Sequence, residues 1–142
     1  MNFVLDASVT LAWRFGDAKA TDRVYALEVL EALKLPDARA EVPVTWALEV
    51  ANVLARAETR RMVSEAQSEA FLHMLSRSPV HADHATLASA LADTLQLARR
   101  YRLSVYDASY LELALRGAHP LASLDADLNK AARRAGAKRF GR

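Results

Sequence analysis

The side chains of this sequence best suited to chemistry are four acids far apart along the chain: Asp6, Glu49, Asp107 and Asp125. If they converge, their like charges cannot all stay ionised without a cation, and a site with only oxygen ligands selects a hard ion such as Mg²⁺ or Mn²⁺. Such an ion orients a phosphate and lowers the pKa of a bound water. Because the sequence lacks Cys and the glycine motifs of nucleophile and phosphate loops, metal-assisted hydrolysis is the reaction these residues best support.

Asp107 and Asp125 also have a structural interpretation. Each stands where an apolar segment gives way to a predicted helix, and a carboxylate there caps backbone N–H groups and faces the positive end of the helix dipole. The alternative is that both lie at the carboxyl end of a sheet, where α/β folds place their ligands. Taken singly, these two residues leave both interpretations open.

Glu49 lies on the apolar face of a predicted helix, residues 46–60, together with Trp46 and Val50. An ionised carboxylate among apolar neighbours is costly unless something compensates its charge. We therefore predict a cationic or metallic partner for Glu49, and a buried salt bridge is the structural alternative. Asn52 lies about one helical turn further on and is placed to hydrogen-bond a ligating carboxylate.

The elements that must position these acids are short apolar strands alternating with longer helices. This pattern predicts one domain, residues 1–142, of class α/β, with a mainly parallel sheet and helices on both sides. Strands are predicted at residues 2–5, 41–45, 79–81, 120–124 and 137–140, and helices at 9–13, 21–33, 46–60, 64–76, 86–101 and 125–135. The predicted buried faces of two helices are Val24, Leu27, Leu30 and Leu33, and Leu87, Leu91, Leu95 and Ala98.

Composition narrows the class of protein. The 142 residues include no Cys, which excludes disulfides, thiolate zinc sites and a cysteine nucleophile. The first residues lack a basic leader segment, and no apolar run approaches the roughly 20 residues that a membrane span needs. We expect a soluble, unexported, cytoplasmic protein.

Charge is unevenly distributed. Residues 130–142 carry six Lys or Arg and no acid, whereas the rest of the chain carries 13 basic and 17 acidic residues. Such a basic tail can hold a polyphosphate through Coulomb attraction and counterion release. The alternative is a solvated helix end, because cations are favourable near a helix C-terminus.

Four segments of the sequence resemble the blocks of a known family. VLDAS at residues 4–8, WALEVANVL at 46–54, LSVYDASYLELA at 103–114 and PLASLDADL at 120–128 are similar to those of PIN-domain ribonucleases, in particular VapC-type toxins. Their order and spacing agree along nearly the whole chain. The resemblance implies a three-layer α/β/α sandwich around a parallel sheet, Mg²⁺ or Mn²⁺ held by acids, and single-stranded or looped RNA as substrate.

The resemblance also implies roles for individual residues. Asp6 and Asp107 match the principal metal ligands. Glu49 and Asp125 match the two acids that complete the shell of the metal or help to activate the attacking water. All four are therefore predicted catalytic residues.

Auxiliary roles are predicted for Ser8, Asn52, Ser123 and Asp127. Ser8 matches the small hydroxyl residue of the first block and could hold a ligand carboxylate or the substrate phosphate. Ser123 stands where the family more often has Thr, which leaves the hydroxyl available. Asp127 has an equally simple explanation as an acid in the first turn of a helix.

The function expected from these features is that of a metal-dependent endoribonuclease acting as the toxin of a toxin–antitoxin pair. A water activated by the metal attacks the scissile phosphate, and basic residues of the tail, or Arg14 and Arg116, hold the flanking phosphates. The resemblance implies a homodimer silenced by a VapB-type antitoxin, which would contact the apolar helices at residues 24–33 and 50–75.

Two alternatives belong to other classes of protein. One is a PIN scaffold that has lost catalysis and only binds RNA or protein. The other is a phospho-acceptor signalling module, which needs paired acids near its first strand, a mid-chain acceptor Asp and a late Lys, features that this sequence lacks.

Overall fold

The computed structural model describes residues 1–16 and 19–141. In this part of the chain, one sheet of four parallel strands has the order β3-β2-β1-β4. Parallel strands need crossover connections, and each connection here is helical. The strands are β1 (Asn2–Leu5), β2 (Arg39–Pro43), β3 (Val80–Asp83) and β4 (Leu121–Ala122).

Helices occupy most of the remaining described chain. Their ends follow local rules: Ser64 and Gln67 form a reciprocal capping box at the start of α4, and Gly136, with φ 92°, ends α8. Both of these helix ends are as predicted. The helices are α1 (Ala7–Ala12), α2 (Ala20–Ala32), α3 (Thr45–Thr59), α4 (Glu65–Ser76), α5 (Thr86–Ser89), α6 (Leu95–Tyr101), α7 (Val105–Gly117) and α8 (Ala126–Ala135), with a π-helical segment (Ala90–Thr94) between α5 and α6.

The sheet is buried on both faces. Along β1, Phe3 and Leu5 face a cluster formed with α1 and α2, whereas Val4 faces a second cluster formed with α7 and α8. This alternation follows from the period of two along a strand, and burial on both sides explains why β1 is continuously apolar. The predicted α/β class, with helices on both sides of a parallel sheet, is confirmed.

A third cluster lies away from these two faces. Val50 and Leu54 of α3 pack against Phe71 and Leu75 of α4, and Ala7 of α1 joins them. The α3–α4 hairpin is therefore attached to the sheet through α1, which begins directly after β1. This packing holds α3, and with it Glu49, beside the end of β1.

Of the predicted buried face of α2, Leu33 at the end of the helix is buried as predicted, but the start of the helix is rotated. Tyr25, Ala26 and Val29 are buried, whereas Val24 and Leu27 are 58% and 56% exposed. Because apolar residues stand next to one another along α2, two neighbouring faces of the helix are apolar, and either could be buried. The face with Tyr25 is buried because that side chain fills more of the core and its hydroxyl donates to the Phe140 carbonyl at 2.8 Å.

The predicted helix at residues 86–101 has the predicted bounds, but a π-helical segment interrupts it. The π-helical segment adds a residue to one turn and so rotates the apolar face. Leu87 and Leu91 are 79% and 90% exposed, whereas Thr94 and Ala98 are buried. Smaller corrections concern two strands: β2 begins and ends two residues earlier than predicted, and the predicted strand 137–140 is reduced to one bridge between Leu121 and Arg139.

Candidate active site

The predicted site lies at the carboxyl ends of β1 and β4. These two strands are neighbours, but β2 and β3 lie on the other side of β1, so the direction of winding reverses between β1 and β4. Such a switch point opens a crevice at the carboxyl ends of the strands, where α/β folds bind ligands. Asp6 directly follows β1, and Ser123 and Asp125 follow β4.

Asp6 is buried and held by two hydroxyl groups. The Ser8 Oγ and Ser123 Oγ hydroxyls donate to the same oxygen, Asp6 Oδ2, at 2.6 and 2.7 Å. The residue is 4% exposed. Among the described residues, no hydrogen bond reaches Asp6 Oδ1, so one carboxylate oxygen is fixed and the other is available to a ligand.

The loop after β4 completes this arrangement. Ser123 Oγ accepts the backbone N–H of Asp125 at 3.0 Å, and Ser8 Oγ accepts the N–H of Leu124 at 2.9 Å. Each serine hydroxyl therefore joins the Asp6 carboxylate to the backbone that carries Asp125. These hydrogen bonds join the segment after β1 to the loop after β4.

Among the described residues, Glu49 has a neutral hydrogen-bond partner and no cationic side chain, so of the two predicted kinds of partner the metal stays a prediction. The Tyr110 hydroxyl donates to Glu49 Oε1 at 2.9 Å, and no salt bridge to Glu49 is found among the described residues. Burial raises the pKa of the Glu49 carboxyl to about 6; the Tyr110 bond lowers it, and the charges of Asp6 and Asp107 raise it. Tyr110 was not predicted as a site residue, although its position three residues after Asp107 places both on one helix face.

Only one of the two acids with a structural interpretation as a helix cap is a cap in the structure. Asp125 caps α8, because its Oδ1 accepts the Leu128 N–H at 2.8 Å. Asp107 does not cap α7: Ser104 does, by accepting the Asp107 N–H at 3.0 Å. The carboxylate of Asp107 lies in the first turn of α7 instead.

The four acids share one electrostatic environment. The pKa of the Asp6 carboxyl is raised to about 6, chiefly by burial and also by the charges of Asp107 and Asp125, against the effect of the two serine bonds. Burial and the charge of Asp125 raise the pKa of Asp107 as well. Together with the effects of Asp6 and Asp107 on Glu49, these couplings join the whole quartet.

Comparison with known proteins now identifies the family. The sequence profile described as PIN domain matches residues 3–134. The chain belongs to the PIN-domain family. A similar solved structure is that of PAE2754 from Pyrobaculum aerophilum, with a TM-score of 0.65 and 20% identity over 92% of this chain and 84% of that chain, which supports the fold. Among curated proteins, none matches the sequence significantly.

PIN domains are generally nucleases and typically bind divalent metals. In residues 1–16 and 19–141, no three His, Cys, Asp or Glu side chains stand close enough to hold an ion as they are placed. The donor chemistry nevertheless fits a hard cation, because all four coupled groups are carboxylates and Asp6 keeps one oxygen unbonded by described residues. We therefore regard Asp6, Glu49, Asp107 and Asp125 as the residues that would hold it.

The auxiliary residues of this PIN domain fall into two groups. Ser8 and Ser123 contact Asp6 directly, as the resemblance implied for a residue that holds a ligand carboxylate. Asn52 and Asp127 are exposed, and no side-chain hydrogen bond joins either to another described residue. Asp127 lies in the first turn of α8, which fits its structural interpretation.

Arg116 is not free to hold a substrate phosphate. Its Nη2 atom lies 2.6 Å from Asp83 Oδ2, and its Nε atom lies 2.7 Å from Glu112 Oε1. The two carboxylates share the guanidinium, so this residue ties β3 to α7. The expectation that Arg116 contacts RNA is therefore not supported by its position.

An apolar groove of about 450 Å³ adjoins the site. Ser8 and Leu124 line it where it meets the site, and Phe15 and Val53 form part of its walls. Its remaining lining residues are Leu11, Ala12, Arg56, Ala57, Arg60 and Met62. Two of these are cationic, so the groove is an apolar cleft with positive charge.

No helix in the described chain is long and apolar enough to cross a bilayer.

Proposed function

We propose that this PIN domain is an endoribonuclease that depends on Mg²⁺ or Mn²⁺ and hydrolyses phosphodiester bonds in single-stranded or looped RNA. The observation that carries the proposal is the coupling of four carboxylates around the buried Asp6 at the switch point of the sheet. Acids that repel one another destabilise the unliganded protein, and perturbed pKa values of this kind cluster at functional sites.

The residues of the quartet would divide the work. Asp6 and Asp107 would hold the cation, which when bound supplies positive charge beside the phosphate and lowers the pKa of a water. Glu49, whose pKa in the metal-free protein is raised chiefly by burial and also by the charges of Asp6 and Asp107, would accept a proton from that water. Asp125, fixed by its cap on α8, would complete the set of oxygen donors.

The two alternatives are less well supported. A scaffold that only binds RNA or protein has no use for four coupled acids at one crevice. A phospho-acceptor module of the flavodoxin-like kind has the strand order 2-1-3-4-5, which differs from the order found here. Nuclease chemistry uses all the features of the crevice.

Cleavage of a labelled single-stranded RNA tests this proposal. We expect cleavage with Mn²⁺ or Mg²⁺, none with EDTA, and a loss of at least about a hundredfold in Asp6→Asn and Asp107→Asn, since each removes a charged ligand. Asp93→Asn is the matched control, because Asp93 is exposed on the π-helical segment. Undiminished cleavage by both site variants, or cleavage in EDTA, would contradict the proposal.

The finer role that we propose is that of a homodimeric toxin held inactive by a VapB-type antitoxin. The apolar groove beside Ser8 supports this role, because an extended apolar segment with acidic residues would complement Leu11, Phe15 and Arg56. Expression of the wild-type protein should arrest growth, and co-expression of the product of the adjacent reading frame should relieve the arrest. A monomer that is harmless on expression and indifferent to that product would contradict this role.

A further inference from the structure

A basic groove of about 320 Å³ opens beside the candidate active site at the outer edge of the sheet. Ser123, which contacts Asp6, is one of its lining residues. Arg133, Lys138 and Arg139 line it as well. The groove therefore adjoins the candidate site, with the buried Ser123 between them, and it carries positive charge where the site carries negative charge.

One wall of the groove is a face of α8. This helix begins at Asp125 beside the site, and Ala126, Asn129 and Arg133 recur along it at intervals of three and four residues. That spacing places the three residues on one face. The Asn129 side chain donates to the Ser123 carbonyl at 2.8 Å, which fixes the helix face against the loop after β4. Arg133 is thereby held at a set position relative to the site.

The other cations come from the segment after α8. Gly136 has a φ of 92°, a conformation that favours glycine, and reverses the chain at the end of the helix. The following residues then run parallel to β4: the Leu121 N–H donates to the Lys138 carbonyl at 2.8 Å, and Leu121 forms a bridge with Arg139. The reversal brings two cations of the tail back to the edge of the sheet.

The positive charge of the groove is not neutralised by ion pairs. Three cations face a single acid, Asp22 of α2, and none of the three pairs with a carboxylate among the described residues. All three cations are exposed, and the Arg139 guanidinium also lies 4.0 Å from the ring centroid of Tyr25. Arg142, the last basic residue of the tail, lies outside the described residues.

We propose that this groove binds the phosphodiester backbone of the RNA strand that flanks the scissile phosphate, through Arg133 and Lys138. The inference rests on the proposed function and adds the path of the substrate, away from the acids along β4 and α8. Because four acids repel a polyanion, adjacent cations offset that repulsion. Contacts of this kind position a strand without reading its sequence.

Salt-dependent binding of a short single-stranded RNA tests the groove. Measurements use the Asp6→Asn protein, so that cleavage does not interfere. The slope of log K against log salt is negative, and each lost phosphate contact reduces its magnitude by about 0.7 for a single strand, so Arg133→Gln with Lys138→Gln should reduce that magnitude by about 1.4. We expect a loss of affinity of roughly tenfold at moderate salt.

Two matched variants sharpen the result. Arg99→Gln with Arg100→Gln removes the same charge from the exposed end of α6 and should leave the slope unchanged. Asp22→Asn removes the one acid of the groove and should strengthen binding, in the opposite direction to the first pair. Circular dichroism and thermal melting should be similar in all variants, since the replaced cations are exposed.

The outcomes show whether the groove proposal or the proposed nuclease function fails. An unchanged slope in the Arg133 and Lys138 variant, an equal loss in the α6 control, or no RNA binding at all would overturn the groove proposal. If the wild-type protein cleaves RNA in any of these cases, the nuclease function stands without it. If binding depends on the groove but the wild-type protein never cleaves, the proposed function fails, and the groove is an RNA-binding surface with no scissile phosphate beside it.

Discussion

Ser123 and Asp6 are 117 residues apart in sequence, yet the Ser123 hydroxyl donates to Asp6 Oδ2 at 2.7 Å in the interior of the protein. Ser8 donates to the same oxygen. Two donors on one oxygen fix the rotation of the carboxylate and leave its other oxygen without a donor among the described residues. If Asp6 holds a metal as proposed, these hydroxyl groups would orient it, as hydrogen-bond partners behind a metal ligand commonly do.

Removal of the Ser123 hydroxyl should weaken both metal binding and cleavage. In Ser123→Ala, Asp6 loses one donor and the Asp125 N–H loses its acceptor. We expect a reduction of roughly 10-fold to 100-fold in Mn²⁺ affinity and cleavage rate. Ser123→Thr keeps the hydroxyl and should retain most of both. Equal activity in the Ala and Thr variants would show that this bond does not matter.

Removal of the Tyr110 hydroxyl should change the pH profile of cleavage. The bond to Glu49 lowers the pKa of that carboxyl, so Tyr110→Phe should raise the pKa above its value of about 6. If Glu49 must be ionised, the acidic limb of the pH–rate profile will move to higher pH in the variant, and activity at high pH will change less. A uniform loss at every pH would instead indicate a general structural defect.

The metal-free protein should lose stability as pH rises from about 4 to above 6. In this window folded Asp6, with a pKa of about 6, keeps a proton that the unfolded chain releases, so the free energy of unfolding falls with rising pH. For Asp6 the loss is up to about 3 kcal/mol relative to Asp6→Asn, which cannot ionise there. Urea unfolding in EDTA at several pH values measures this difference. A difference that is constant with pH would contradict the raised pKa.

Replacement of Arg116 should affect stability rather than catalysis. In Arg116→Gln, buried Glu112 and half-buried Asp83 lose their shared cation, which should cost roughly 2–3 kcal/mol of the free energy of unfolding. At temperatures where the variant is folded, RNA affinity and the cleavage rate should stay close to wild type. A selective loss of RNA affinity in a stable variant would restore the phosphate-binding role that the sequence suggested.

The sequence was informative where local chemistry decides the structure. Strand β1 and the position of Asp6 follow from a short apolar run that ends in an acid, and the cap at Asp125 follows from its place before α8. The faces of α2 and of residues 86–101 could not be predicted, because the packing of Tyr25 and a π-helical segment set their rotation. The catalytic roles of the four acids stay predictions.

The partner of Glu49 could not be predicted from the sequence either. A lone acid among apolar neighbours indicates that a partner exists, but a cation, a metal and a neutral donor satisfy that requirement equally well. The choice of Tyr110 depends on how α3 and α7 face each other, which is a property of the assembled fold. Likewise, Arg116 looked available in sequence because its partner Asp83 is 33 residues away.

The central claim is that acids from distant segments jointly bind one kind of divalent cation. Titration of the metal-free protein with Mn²⁺, with free ion measured by electron paramagnetic resonance, tests it most directly. We expect the wild-type protein to bind Mn²⁺, and we expect this binding to be lost, or weakened at least about tenfold, in both Asp6→Asn and Asp107→Asn but not in Asp93→Asn. Equal Mn²⁺ binding by the wild-type protein and both site variants would contradict it.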